Sequence, residues 1–165
     1  MKPEQRQKKL KFPVTCKDEA MVNLVGQMDK EILATWATGC ALRVLPYFEE
    51  RFPDDPRPRN AIIACRVWID TGVFRMDDIR RASLASHAAA REAGEDTAAR
   101  SAARAAGHAV ATVHVPTHSL GAAMYARQAV WRAATKGEAD AAVADERDWQ
   151  YRHLVGLREK SGSEK

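Results

Sequence analysis

Apolar residues recur at three- and four-residue steps along most of this chain, the spacing of one helix face. Met21, Leu24, Val25, Met28, Ile32 and Leu33 form the first stripe. Asp18-Glu19 precede it and place negative charge at the positive end of a helix. Gly39 interrupts the pattern and predicts a turn or a tight helix contact. A second helix is expected from Cys40 to Arg51, where Val44, Leu45, Tyr47 and Phe48 are too apolar for a surface loop. Pro46 either kinks that helix or starts a short new one. Pro53, Pro56 and Pro58, interleaved with charges, predict a rigid extended loop.

The third helix begins at Pro58, a good first-turn residue because its missing N–H has no helical partner there. Ala61, Ile62, Cys65, Trp68 and Ile69 continue its buried face, and Gly72 suits a left-handed C-cap. A fourth helix is expected from Met76 or Asp77 to Ala93, closed by Gly94. Its contact stripe is Ile79, Ala82, Ala85 or Ser86, Ala89 and Ala93.

From Asp96 the helical pattern runs on to Ala134. Unbroken, it would span roughly 60 Å at about 1.5 Å per residue. A folded chain of this size is only roughly 40 Å across. Pro116 resolves the conflict by kinking or breaking the run into Thr97–His114 and Pro116–Thr135, with Gly137 as the stop. A last helix runs from about Glu138 to Leu157, with Ala142, Trp149, Leu154 and Leu157 as contacts. The expectation is an all-α, single compact domain of about seven antiparallel, Ala-rich helices over residues 16–160. Residues 1–15 are expected as a disordered basic tail and residues 161–165 as a frayed end.

Alanine strengthens this reading, because it is the best helix former and lets helix backbones approach closely. Charge changes it less than the net +4 suggests. Residues 1–17 carry six basic side chains against Glu4, a net +5, which leaves −1 for residues 18–165. A basic face for nucleic acid is not indicated. No apolar run is long enough for a membrane span, and the N-terminus does not read as a secretory signal. Cys16, Cys40 and Cys65 are unlike zinc ligands in spacing and fit reduced thiols in a cytoplasmic protein, Cys40 and Cys65 as buried small hydrophobes.

The stretch His108–Ala126 holds three of the five histidines and Pro116. His114 and His118 are four apart, the spacing of two imidazoles on one helix face. A metal site is disfavoured: Pro116 lies between them, and Ser101–Arg132 contains no Asp or Glu. Buried histidines hydrogen-bonded to neighbouring helices, helping to satisfy the Thr112 carbonyl that Pro116 leaves free, are expected instead. No nucleophile with a base and an orienting group is present, so no catalytic residue is assigned. Arg57 and Arg59 sit on the proline-stiffened loop, where they could bind an anion or a partner, or pair with Asp54, Asp55 or a helix-end carbonyl. His87, Arg91, Trp68 and Tyr125 are polar-tipped groups on Ala-rich helices, expected as core or interface anchors.

The ordered blocks Cys40–Glu49, Asp55–Ile62, Ala88–Arg91 and Ala105–His114, followed by His118 and Tyr125-Ala126, resemble the immunity proteins of bacterial polymorphic-toxin systems, in the immunity-protein-five-like group. The resemblance covers about residues 30–155, and Glu146–Leu154 is similar to the family's closing helix. It implies an all-helical cytoplasmic domain that binds and neutralises a cognate toxin without catalysis. The family's marked residues fall on Arg57, Pro58, Arg59, Trp68, His87, Arg91, His108, His114, His118 and Tyr125. One departure is Ile63-Ala64-Cys65-Arg66, where an acidic partner for the arginines is expected.

Two functions follow as expectations. The first is a toxin-neutralising binding protein with no cofactor. The alternative is a small-molecule- or metal-binding helical protein that uses His108, His114 and His118. The partner expected is the toxin rather than nucleic acid or membrane, and a homodimer is a further option.

Overall fold

Alternating runs of helix formers and breakers give seven α-helices and no strand among the residues described by this computed structural model, Phe12 and residues 18–164. They are α1 (Glu19–Val25), α2 (Lys30–Glu49), α3 (Arg57–Thr71), α4 (Met76–Glu92), α5 (Ala98–Ala111), α6 (His118–Ala133) and α7 (Ala139–Ser163). The expected basic tail, apart from Phe12, lies outside the described residues. The Phe12 ring sits 5.9 Å from that of Trp131.

Local chemistry sets the ends. The Asp18 carboxylate accepts from the Met21 N–H and caps α1, and the Thr97 hydroxyl accepts from the Arg100 N–H and caps α5. Gly72 and Gly94 stop α3 and α4 with φ of 69° and 87°, a left-handed conformation that suits glycine.

Two expectations change and two open readings are decided. The stripe from Met21 to Leu33 is two helices, because the chain turns at Gly26–Met28 and Asp29 is extended before α2. Gly39 lies inside α2 and does not end it; it makes the tight contact that was the other reading. A Cβ there would come 2.9 Å from His153 Nε2 of α7. Pro46 also lies inside α2. It is exposed, so the ladder bond it removes opens toward water and the helix continues to Glu49. Finally, α7 continues to Ser163, through part of the expected tail.

The predicted break at Pro116 is present. α5 ends at Ala111 and α6 starts at His118, and the two run antiparallel. Ser101 pairs with Gln128 near one end, and His108 meets Gly121 and His118 near the other. Pro116 itself is exposed in the turn. The hinge lies on the surface, while Thr112 and Val113 before it are buried.

α5 is the central helix, packed by α2, α3, α4 and α6. Ala99, Ala102, Ala103, Ala105, Ala106 and Ala109 are all but fully buried, and their small side chains let four helices approach one axis. Larger buried residues on α2, α3 and α7 complete the core: Trp36, Leu33, Leu45, Phe48, Ile62 and Leu154. Buried polar groups join the layers. The Trp36 indole N–H donates to the Gln150 carbonyl, and the Gln150 amide donates to the Ala123 carbonyl. Ser86 donates to the Ala103 carbonyl and Ser83 to that of Gly107, tying α4 to α5. Cys40 and Cys65 are buried thiols, as expected, and burial pushes Cys65 up to about 11. Among the described residues no helix is long and apolar enough to cross a membrane.

Candidate functional site

Where α4, α5 and α6 meet, their sequence registers bring five polar side chains together. His87 comes from α4, Arg104 and His108 from α5, and His118 and Tyr125 from α6. Arg104 and His108 are one turn apart on α5 and so share a face, as do His118 and Tyr125 two turns apart on α6. The approach depends on two glycines. A Cβ at Gly107 would lie 2.8 Å from the His87 ring, and one at Gly121 would lie 2.6 Å from His108 Nδ1. Side chains at these positions would occupy the space the imidazoles now fill.

The rings form a continuous cluster around His108. Its centroid lies 5.2 Å from His87, edge-on, 5.2 Å from His118, and 5.2 Å from Tyr125, on which it stacks. His108 Nδ1 and His118 Nδ1 are 3.1 Å apart, so one ring donates and the other accepts. Arg104 Nη1 lies 3.3 Å from His87 Nδ1. A guanidinium can only donate, which makes this nitrogen the acceptor and leaves the His87 proton on Nε2.

The surroundings keep the imidazoles neutral. Burial, and then the charges of Arg104 and Arg91, push His87 down to about 4. Burial, and then the neighbouring His87 and His118, push His108 down to about 4. His118 is lowered by burial and by His114, and Arg104 is lowered chiefly by burial. The cluster therefore offers N–H donors and guanidinium charge rather than a base of ordinary strength. Among the described residues no group of three or more His, Cys, Asp and Glu is arranged to hold a metal ion.

The remaining sequence candidates lie elsewhere. His114 does not complete the expected His108/His114/His118 set. The turn at Pro116 leaves it exposed, along a shallow groove with Ile79, Ser83 and Leu84, and His87 takes the third place. Arg91 is exposed at the end of α4, with its charge acting on His87. Trp68 is buried in α3 under the Lys30 ammonium, which lies 5.2 Å from its ring. Arg57 bonds the carboxylates of Asp55 and Glu92, and Arg59 bonds that of Glu49. These acids supply the partners that the segment Ile63–Arg66 lacks. They clamp the start of α3 to the ends of α4 and α2.

Sequence reasoning missed Arg104, Gly107 and Gly121. The signal was there in part: Arg104 stands four residues before His108, and Gly107 directly precedes it. The role of Gly121 depends on which helix faces it, and only the fold supplies that.

A family model described as Imm-5 like putative immunity protein matches residues 23–156. Comparison with curated proteins and with solved structures gives no match.

Proposed function

The chain belongs to the Imm-5 like putative immunity protein family, and from this we propose that it binds a cognate bacterial toxin in the cytoplasm and neutralises it by occupancy, without catalysis. The family match carries the reading, because it extends over α2 to α6 and most of α7. The geometry supports it in a second way. The α4–α5–α6 cluster presents N–H donors and positive charge, an arrangement suited to recognition of a partner surface. Rigid helices hold these side chains, so a partner meets a preorganised face and loses less freedom on binding.

His87, Arg91, His108, His118 and Tyr125 are the proposed contact or supporting residues, Arg91 exposed and the other four half-buried. Arg57, Arg59 and Trp68 act in this reading by fixing α3 against its neighbours. Co-expression with toxins encoded beside this chain tests the proposal. Survival of cells that carry both genes, with a complex that co-purifies, is the expected result. Lack of protection from every such toxin overturns it.

A further inference from the structure

The near-neutral body hides a segregated charge. No Asp or Glu occurs between Asp96 and Glu138, so α5, α6 and the turn between them contribute only cations and neutral groups. Arg100 and Arg104 stand one turn apart on α5, and the fields of Arg100 and Arg91 both act at Arg104. Among the described residues, no carboxylate lies within ion-pair distance of Arg91, Arg100 or Arg104. Arg43, Arg57, Arg59, Arg132 and Arg147 each have one. Glu92, which follows Arg91 on α4, is already held by Arg57.

This arrangement costs the protein stability. Arg104 is half-buried and loses water without gaining a carboxylate partner among the described residues; burial lowers it most, Tyr125 acts the other way, and the like charges of Arg100 and Arg91 add to the lowering. Among the described residues its side chain hydrogen-bonds a neutral imidazole, His87. An anion arriving from outside would remove the imbalance.

We propose that Arg91, Arg100 and Arg104, flanked by His87 and His118, form a docking face for an acidic segment of the protein partner, whose carboxylates pair with the guanidinium forks. The proposal rests on the reading that this chain binds a protein toxin, and it names the chemistry of the toxin surface. Separate carboxylates fit better than one phosphate. Arg100 and Arg104 start roughly 5–6 Å apart at their Cβ atoms, and their long side chains present separate forks rather than one cradle. A nucleic acid finds less here. Tyr125 already stacks on His108, which removes the nearby aromatic ring as a platform for a base.

The test uses the full chain with three probes: a ten-residue Asp/Glu peptide, its Asn/Gln counterpart and inorganic phosphate. Binding is read by calorimetry and by the arginine side-chain NMR signals. The acidic peptide should bind, weaken as salt rises, and lose at least tenfold in affinity in the Arg91→Glu/Arg100→Glu variant. Both side chains are at least partly exposed, and circular dichroism checks the fold. The Arg152→Glu/Arg158→Glu variant makes the same charge change on α7 and should bind within about twofold of the wild type. Equal losses in the two variants overturn the proposal, as does phosphate binding without peptide binding. Self-association abolished by Arg91→Glu/Arg100→Glu would assign the face to a second copy and also overturn it. Toxin neutralisation that persists in that variant overturns the docking face and leaves the proposed function standing. Failure of the wild type to neutralise any toxin counts against the function itself.

Discussion

The Nδ1 atoms of His108 and His118 stand 3.1 Å apart, close enough that one ring must donate to the other. The pair therefore cannot take up a full complement of protons without losing this bond. His87 and His108 are both held at about 4, against an ordinary 6.5. As pH falls through that window, the unfolded chain binds protons before the folded chain does. Stability is thus complete above about 6.5 and declines toward about 4. Asp18, Glu49, Asp55 and Glu92 have carboxylates held below their ordinary 3.8 or 4.5, so they add to the loss only at lower pH. Urea midpoints between about pH 7 and about pH 5 should fall steadily, and His108→Gln should flatten the slope.

Gly121→Ala and Gly156→Ala should move stability in opposite directions. Both glycines are helical, and alanine contributes up to about 1 kcal/mol in helix propensity. At Gly156 nothing lies within 4 Å of the added Cβ, so that gain should appear as a higher melting temperature. At Gly121 the Cβ meets His108 Nδ1 at 2.6 Å. The ring is packed against His87, His118 and Tyr125, so overpacking of about 1–3 kcal/mol should outweigh the propensity gain. Equal stabilisation by both substitutions would show that His108 moves freely.

Arg57→Ala removes bonds to Asp55 and Glu92 and should loosen the joint between α3 and α4. The Asp55 pair is half-buried and the Glu92 pair exposed, so a small drop in the denaturant midpoint is expected, and it should shrink in high salt. Arg59→Ala should behave similarly at the joint between α3 and α2, through Glu49. The two losses should add, because the arginines use different acids. Denaturant titrations of both single variants and the double variant check this.

Pro116→Ala should change little. The residue is exposed in the α5–α6 turn, where its ring restrains the unfolded chain as much as the folded one. A melting temperature within a few degrees of the wild type is expected, at about 1 kcal/mol or less. A larger drop, together with altered helix content, would show that the proline directs the antiparallel return of α6.

The helices were legible where periodicity and punctuation agreed. Gly72, Gly94 and the proline cluster before Arg57 mark ends that depend on local conformation alone. Gly39 and Pro46 resemble the same punctuation, yet α2 runs through both. One glycine makes room for His153 of a distant helix, and the proline faces water. These outcomes belong to the tertiary structure. The site shows the same division. The absence of acids around His108 was visible along the chain. The replacement of His114 by His87 was not, because it depends on which face of α4 meets α5. Net charge concealed the cluster of Arg91, Arg100 and Arg104 by averaging it with acids on other helices.

Titrating a purified cognate toxin with the purified chain, and following residual toxin activity against molar ratio, tests the central claim most directly. Neutralisation by occupancy predicts a straight decline that ends at a fixed stoichiometric ratio and is independent of incubation time. Continued inactivation at substoichiometric amounts of chain, or no inhibition by excess chain, would contradict it.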